Sequence, residues 1–330
     1  MAGSCKRAAE LLKYRIECEL AEGTFDEDPE KNPYFVDFSM RFLKAKKELV
    51  KPATYEDYRR VIRVHMSPYF HEMQLSQITP LRVQEFMFHL DEKGLSPASR
   101  GKILRYLKNM LRTAVNWEMI DRDPSFAIRP PRQERREMDY LTPEEIRKLL
   151  RTARGDMKAL LAVASLAGLR QGEVLGLRWG DIDFDNHQLR VVRTYNPIHG
   201  FGAPKTTTSR RAVPMIPMLE QILENHLASR RHPSVDDLVF RNGNGNPKDR
   251  TNLTNREFKR VLGKAGLREI RFHDLRHSFA SLAIASGMDP KALQRAMGHG
   301  SIRITLDVYA HLLPCSYDGA VERMEALLAG

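Results

Sequence analysis

Residues 121–141, "DRDPSFAIRPPRQERREMDYL", interrupt every hydrophobic period in this chain of 330 residues. Three prolines fix φ and remove backbone donors, so no helix or sheet ladder runs through the stretch. Its arginines hold it in water. A chain of this length can bury two cores, and a break of this kind forces the apolar sets on either side to be buried separately. The expected organisation is a lead over 1–34, a small domain over 35–120, a linker over 121–140 and a larger domain over 141–330.

The small domain reads as four helices: "FVDFSMRFLKAKKEL", "TYEDYRRVIRVHMSPYF" with Thr54 as candidate N-cap, "TPLRVQEFMFHLDEKG" and "SPASRGKILRYLKNMLRTAVNWEM". Thr79-Pro80 has the chemistry of a cap and first turn, and Gly94 that of a C-terminal stop. Lys and Arg lie opposite Leu, Ile, Phe and Met. Taken alone, that pattern fits a bundle with a solvated basic face as well as a DNA-contacting one.

In the larger domain, "LTPEEIRKLL" opens on Thr142-Pro143 and helices continue to about Leu177. "HQLRVVRTY" alternates as a strand, and "RRAVPM" follows "KTTTS" as a second strand leaving a turn. Helices resume at Pro217. The fold class is mainly α: a small all-α domain followed by a larger mixed α+β domain. The lead has helical spacing over 4–22 and then an acidic, turn-rich linker.

Charge narrows the choice of partner. The chain has 53 basic and 42 acidic residues, a formal net charge of +11. The lead carries 5 basic and 8 acidic residues, so the excess belongs to the two presumptive domains. Such an excess favours a polyanion, nucleic acid before membrane. Cys5, Cys18 and Cys315 form no paired spacing, which argues against a zinc site or a disulfide framework. There is no apolar run of spanning length and no secretory leader, so the expected location is cytoplasmic, on the nucleoid when DNA is bound.

Five elements of the second domain carry groups suited to phosphate. "AGLRQGEVLGLRWGDID" sets Arg170 at a helix start, with Glu173 one turn on to hold the guanidinium. "PKTTTSRRAVPM" puts Lys205 at the lip of a hairpin. "FHDLRHSFAS" supplies His273 and Arg276, three apart at a helix start. "MGHGS" supplies His299, and "LDVYAHL" offers Tyr309 ten residues later. Each alone has an ordinary explanation: a solvated turn lysine, a structural histidine, a core tyrosine sharing a face with Ile302, Leu306 and Leu313.

Their order and company resemble the tyrosine recombinases of the phage integrase group. "GLRQGEVLGLRWGDID" is similar to that family's first arginine box. "KTTTSRRAVPM" is similar to its lysine hairpin, with Ser209, Arg211 and Pro214 in register. "HDLRHSFAS" and "MGHGSIRITLDVYAHL" resemble the second box and the nucleophile segment. The resemblance covers roughly residues 35–330. Gly300 and Ile304 depart from the usual pattern, and neither replaces a reacting group.

The resemblance implies a SAM-like core-binding domain and a catalytic domain, with double-stranded DNA attachment sites as substrate. It implies Tyr309 as nucleophile, Arg170, Arg276, His273 and His299 around the phosphate, Glu173 in support, and Lys205 as acid for the leaving 5′-oxygen. No cofactor, metal ion or ATP is implied. A 3′-phosphotyrosyl link, a Holliday junction and a homotetramer on DNA follow, with DNA-bending accessory proteins as further partners. The alternatives are a Xer-like chromosome dimer resolvase, a type IB topoisomerase and a catalytically silent DNA-binding regulator. The lead would be the remnant of an arm-binding region or a different lead altogether. The tail "DGAVERMEALLAG" sets Val321, Met324, Leu327 and Leu328 in a stripe that either folds back onto its own domain or, as the resemblance implies, docks on a neighbouring protomer.

Overall fold

The computed structural model describes residues 14, 32–132, 138–203, 209–231, 233–309, 324–326 and 328. The chain divides into two compact units, Met1–Arg135 and Arg136–Gly330. The expected lead helix (apart from Tyr14), Lys205, Tyr317, Val321 and Leu327 lie outside the described residues. Met324 and Leu328 are exposed. No helix among the described residues is long and apolar enough to cross a membrane.

The first unit is built on α1 (Phe35–Leu49), α2 (Pro52–Val61), α3 (Pro80–Glu92) and α4 (Pro97–Asn116). α2 begins two residues before the expected Thr54. Lys51 is its N-cap and Pro52 occupies the first turn, where a missing N–H costs nothing and the fixed φ already suits a helix. It runs on through a π-helical turn, Ile62–Met66, into a last turn at Ser67–Phe70. Thr79 caps α3 as expected, its Oγ1 accepting from the Arg82 N–H at 3.3 Å. Gly94 has a φ of +72° just beyond the helix end. The core is ring-rich: Phe35, Phe38, Phe42, Phe70 and Phe86 are fully buried.

The second unit starts with α5 (Pro143–Thr152), whose Thr142 and Glu145 form a reciprocal capping box. α6 (Gly155–Leu166) is the central helix, buried at every position from Ala159 to Leu166. α7 (Gln171–Leu175) follows. β1 (Ile182–Asp183), β2 (Gln188–Val191) and β5 (Arg211–Pro214) form an antiparallel sheet in the order β1-β2-β5. The single strand expected over "HQLRVVRTY" is divided. Beyond Val191 the chain leaves β5 and forms a separate hairpin from β3 (Thr194–Asn196) and β4 (Gly200–Gly202). Arg193 pairs with Asp181, and Tyr195 faces Phe201 with ring centroids 5.1 Å apart, a cross-strand pair that sustains the new hairpin.

Further helices among the described residues are α8 (Pro217–Ala228), α9 (Lys259–Lys264, entered through a turn at Arg250–Asn252 and a π-helical stretch at Leu253–Phe258), α10 (Asp274–Ala285), α11 (Pro290–Met297) and α12 (Ile302–Tyr309). α10 packs on α6, and α11 packs on both β5 and α12. The C-terminal end of α11 thereby reaches the first residues of α7 and of β5.

Candidate active site

Arg170 stands as N-cap of α7, at the helix start expected for it. The chain reaches it through Gly168, at φ +63°, where an added Cβ would lie 2.3 Å from the Phe279 ring. Only glycine fits there. Glu173, one turn into α7, is buried and serves two guanidiniums. Its Oε1 accepts from Arg170 Nη1 at 2.9 Å, and its Oε2 accepts from Arg211 Nη2 at 2.9 Å. Glu173 also accepts from the Arg170 backbone N–H at 2.9 Å. Burial alone would raise the Glu173 pKa, but the bonds and charges of Arg211 and Arg170 bring it below the ordinary carboxylate value.

The C-terminal end of α11 gathers the cations. Three successive carbonyls there each accept from a different arginine. Ala296 O takes Arg211 Nε at 2.6 Å, Met297 O takes Arg276 Nη2, and Gly298 O takes Arg170 Nη2 at 3.0 Å. The last carbonyls of a helix have no partner within it and carry the negative end of its dipole, so guanidiniums belong there. Gly298, at φ +61°, would put a Cβ 3.0 Å from Arg211 Nη1. Arg276 is 3% exposed and donates through Nη1 to Gly168 O at 2.6 Å. Burial, then the Arg170 charge, lower its pKa to about 9, so it remains a cation at neutral pH.

The histidines differ in setting. His273 is exposed at the N-terminal end of α10. The protein mass beside it and the Arg276 charge still lower its pKa. His299 is half-buried, with Nδ1 2.9 Å from Thr305 Oγ1. Burial and the charges of Arg276, Arg170 and Arg211 push its pKa down to about 3. It is neutral at pH 7 and beside three cations. The Tyr309 hydroxyl lies 2.6 Å from Nδ1 of His277, and the residue is 2% exposed. Its helical face differs from the expected one: Leu306 is exposed, and Thr305 is the other buried residue of α12.

The structure thus brings Arg170, Glu173, Arg276, His299 and Tyr309 to one place, with His273 at the rim. Lys205 lies outside the described residues. Sequence reasoning assigned no role to three participants. Arg211 was noted only as in register with a hairpin, and His277 and Thr305 were not singled out. A concavity of about 510 Å³ adjoins His299 and Arg211, lined also by Arg210, Lys291 and Arg295. These last three are exposed, and none has an ion pair among the described residues.

Residues 139–314 match the model of the phage integrase family, and residues 34–90 match that of the phage integrase N-terminal SAM-like domain. The chain belongs to the phage integrase family. Among its relatives, the ICEBs1 integrase of Bacillus subtilis is 32% identical, with 84% of this chain and 79% of that one covered. A XerC-like tyrosine recombinase of Caldanaerobacter subterraneus is 29% identical, with 84% and 78% covered. The Tn1549 transposon integrase in complex with a circular intermediate DNA superposes with a TM-score of 0.73 at 25% identity, covering 88% of this chain and 99% of that one. A λ integrase tetramer bound to a Holliday junction shares the fold, with a TM-score of 0.65 at 19% identity and coverage of 89% and 88%. As a member of the family, this integrase is a site-specific recombinase that cleaves and rejoins DNA.

Proposed function

We propose that this integrase moves a mobile element into and out of a DNA attachment site, with Tyr309 as the attacking group. The observation that carries the reading is the convergence of three guanidiniums on the α11 carbonyls, beside a neutral histidine and a tyrosine hydroxyl. The phenol oxygen attacks the scissile phosphorus, a 3′-phosphotyrosyl bond forms, and the 5′-oxygen leaves with a proton supplied by Lys205. A 5′-hydroxyl from the partner strand then reverses the step, so the phosphodiester energy is conserved. Negative charge that builds on the non-bridging oxygens is met by Arg170 and Arg276, whose planar donors suit phosphate. His299, with Nδ1 engaged by Thr305, offers Nε2 to the same oxygens, and His273 at the rim handles a proton.

Arg276 serves this role despite its burial, since a pKa of about 9 leaves it charged at neutral pH. Glu173 and Arg211 act behind it. The pair holds Arg170 in place and keeps the net charge of the cluster from driving it apart. Arg210, Lys291 and Arg295 form a carboxylate-free approach for the phosphate backbone. Homotetramer formation on paired sites, help from DNA-bending proteins and residence on the nucleoid complete the proposal. The ICEBs1 integrase and the Tn1549 integrase in complex with a circular intermediate DNA support a mobile-element role over chromosome dimer resolution, the role a XerC-like relative would suggest.

A paired-site joining assay, run in EDTA beside supercoil relaxation of a plasmid that carries one site, tests this function. Joined recombinant products with chelator present are expected. Relaxation without joined products would make the chain a topoisomerase, and a requirement for divalent metal would contradict the phosphotyrosyl route.

A further inference from the structure

α12 places little of itself in the core. Of its eight residues only Thr305 and Tyr309 are buried, one turn apart, while Ile304 and Leu306 are exposed. Each buried residue presents its hydroxyl to the Nδ1 of a histidine. Thr305 Oγ1 lies 2.9 Å from His299, and the Tyr309 hydroxyl lies 2.6 Å from His277. Besides its packing on α11, the helix is therefore fixed by two hydroxyl–imidazole bonds. The second of them engages the very oxygen that has to reach phosphorus.

The Tyr309 ring belongs to the apolar cluster of Phe279, Leu293 and Met297. At 2% exposure its oxygen cannot meet a phosphate arriving from solvent while the bond to His277 stands. We infer that His277 is a positioning residue that keeps Tyr309 in reserve, its Nδ1 accepting the phenol hydrogen until that bond is exchanged for approach to the phosphate. The inference rests on Tyr309 being the nucleophile.

Both partners are in the protonation state the bond needs. Burial, with the neighbouring His273, lowers the His277 pKa to about 4, so the ring is neutral at pH 7. Burial raises the Tyr309 pKa, with the Arg276 charge opposing it, so the phenol keeps its hydrogen. Arg276 and His277 pull in opposite directions. The cation favours the phenolate, whereas the imidazole favours the neutral donor. Moving the oxygen from one to the other converts a stored side chain into a reactive one. Among the described residues Arg303, at the solvent side of α12, pairs with Asp307 on the same helix at 3.7 Å.

The test is single-turnover formation of the covalent adduct on a nicked suicide site by the full-length protein at saturating concentration. His277→Ala removes the acceptor and should speed adduct formation by roughly two- to tenfold, the equivalent of one modest hydrogen bond. His277→Asn keeps an acceptor at the position of Nδ1 and should restore the wild-type rate. A residue needed only for packing would slow the reaction when removed. An unchanged or slower rate for His277→Ala, with site binding intact, would overturn the inference. Should that variant fail to fold, His277→Gln takes its place. Its acceptor is displaced by a methylene, so it should react faster than His277→Asn, and equal rates would overturn the inference. Tyr309→Phe run in parallel separates the two ideas. An adduct in that variant removes both, whereas no adduct there combined with indifferent His277 variants removes this one alone.

Discussion

In the helical unit the fully buried side chains include Phe35, Phe38, Phe42, Phe70 and Phe86, and its buried polar groups, Ser39, Gln74 and Ser125, are uncharged; the second unit buries Glu173, Asp181, Asp274 and Arg276. Taking a charge out of water costs several kcal/mol per ion, and close pairing recovers that only when geometry is good. A core of rings has no such liability. The contrast teaches where the chemistry is kept. The first unit is stable because it is apolar, whereas the second holds a set of charges together whose mutual repulsion is balanced by one carboxylate and the end of one helix.

The sharpest way to break that contrast is Glu173→Gln. The amide fills the same space but leaves Arg211 and Arg170 without their shared countercharge. A loss on the order of 3–5 kcal/mol is expected in the second unit, as for any buried pair stripped of one partner. The two tryptophans permit the comparison, since Trp117 lies in the first unit and Trp179 in the second. Single-tryptophan variants would follow each unit's melting by fluorescence. An equal effect on both signals would dissolve the distinction between the units.

Acidification should separate the units in the same assay. His277 and His299 have folded pKa values of about 4 and about 3 against an ordinary 6.5. The unfolded chain therefore binds protons that the folded chain refuses, and stability falls as pH drops from 6.5 towards 4. The Trp179 transition should lose a few kcal/mol over that window. The Trp117 transition should move less, because the downward shift of His65 in the first unit, caused by burial and the Lys93 charge, is smaller than those of His277 and His299. If both transitions hold steady to pH 4, the histidines are not held neutral by the site.

How much of this was legible in the sequence follows from the range of each interaction. The caps at Thr79 and Thr142 and the pairing of Arg170 with Glu173 span three residues, and their residue types announce them. The fold class and the family boxes were readable for the same reason. The three bonds to the α11 carbonyls join residues 21 to 128 positions apart, and no local pattern encodes them. His277 is likewise tied to Tyr309 across 32 residues. Nothing in "HDLRH" tells that its second imidazole meets the Tyr309 hydroxyl. The β3–β4 hairpin was missed because "HQLRVVRTY" stays rich in strand-forming residues while the pairing partner changes after Val191. In α12, Leu306 was expected on one face with Tyr309 and is exposed instead. Apolar spacing predicted a stripe, but hydroxyl-to-imidazole bonds chose the buried face.

The smallest expected effect concerns the cationic approach beside His299. Lys291→Ala and Arg295→Ala should each reduce the slope of log binding constant against log salt by about 0.9 if each side chain neutralises one phosphate. Melting of either unit should be unaffected, since neither residue has an ion pair among the described residues. An unchanged salt slope would remove that concavity from the DNA path.

The central claim is that the charge cluster of the second unit exists to receive a phosphate attacked by Tyr309. Mass-spectrometric mapping of the covalent product on a nicked suicide site tests it most directly. The account predicts a nucleotide joined through its 3′-phosphate to the peptide containing Tyr309, and no such product from Tyr309→Phe. A 5′-linked product, or attachment at another residue such as Tyr317, would contradict it.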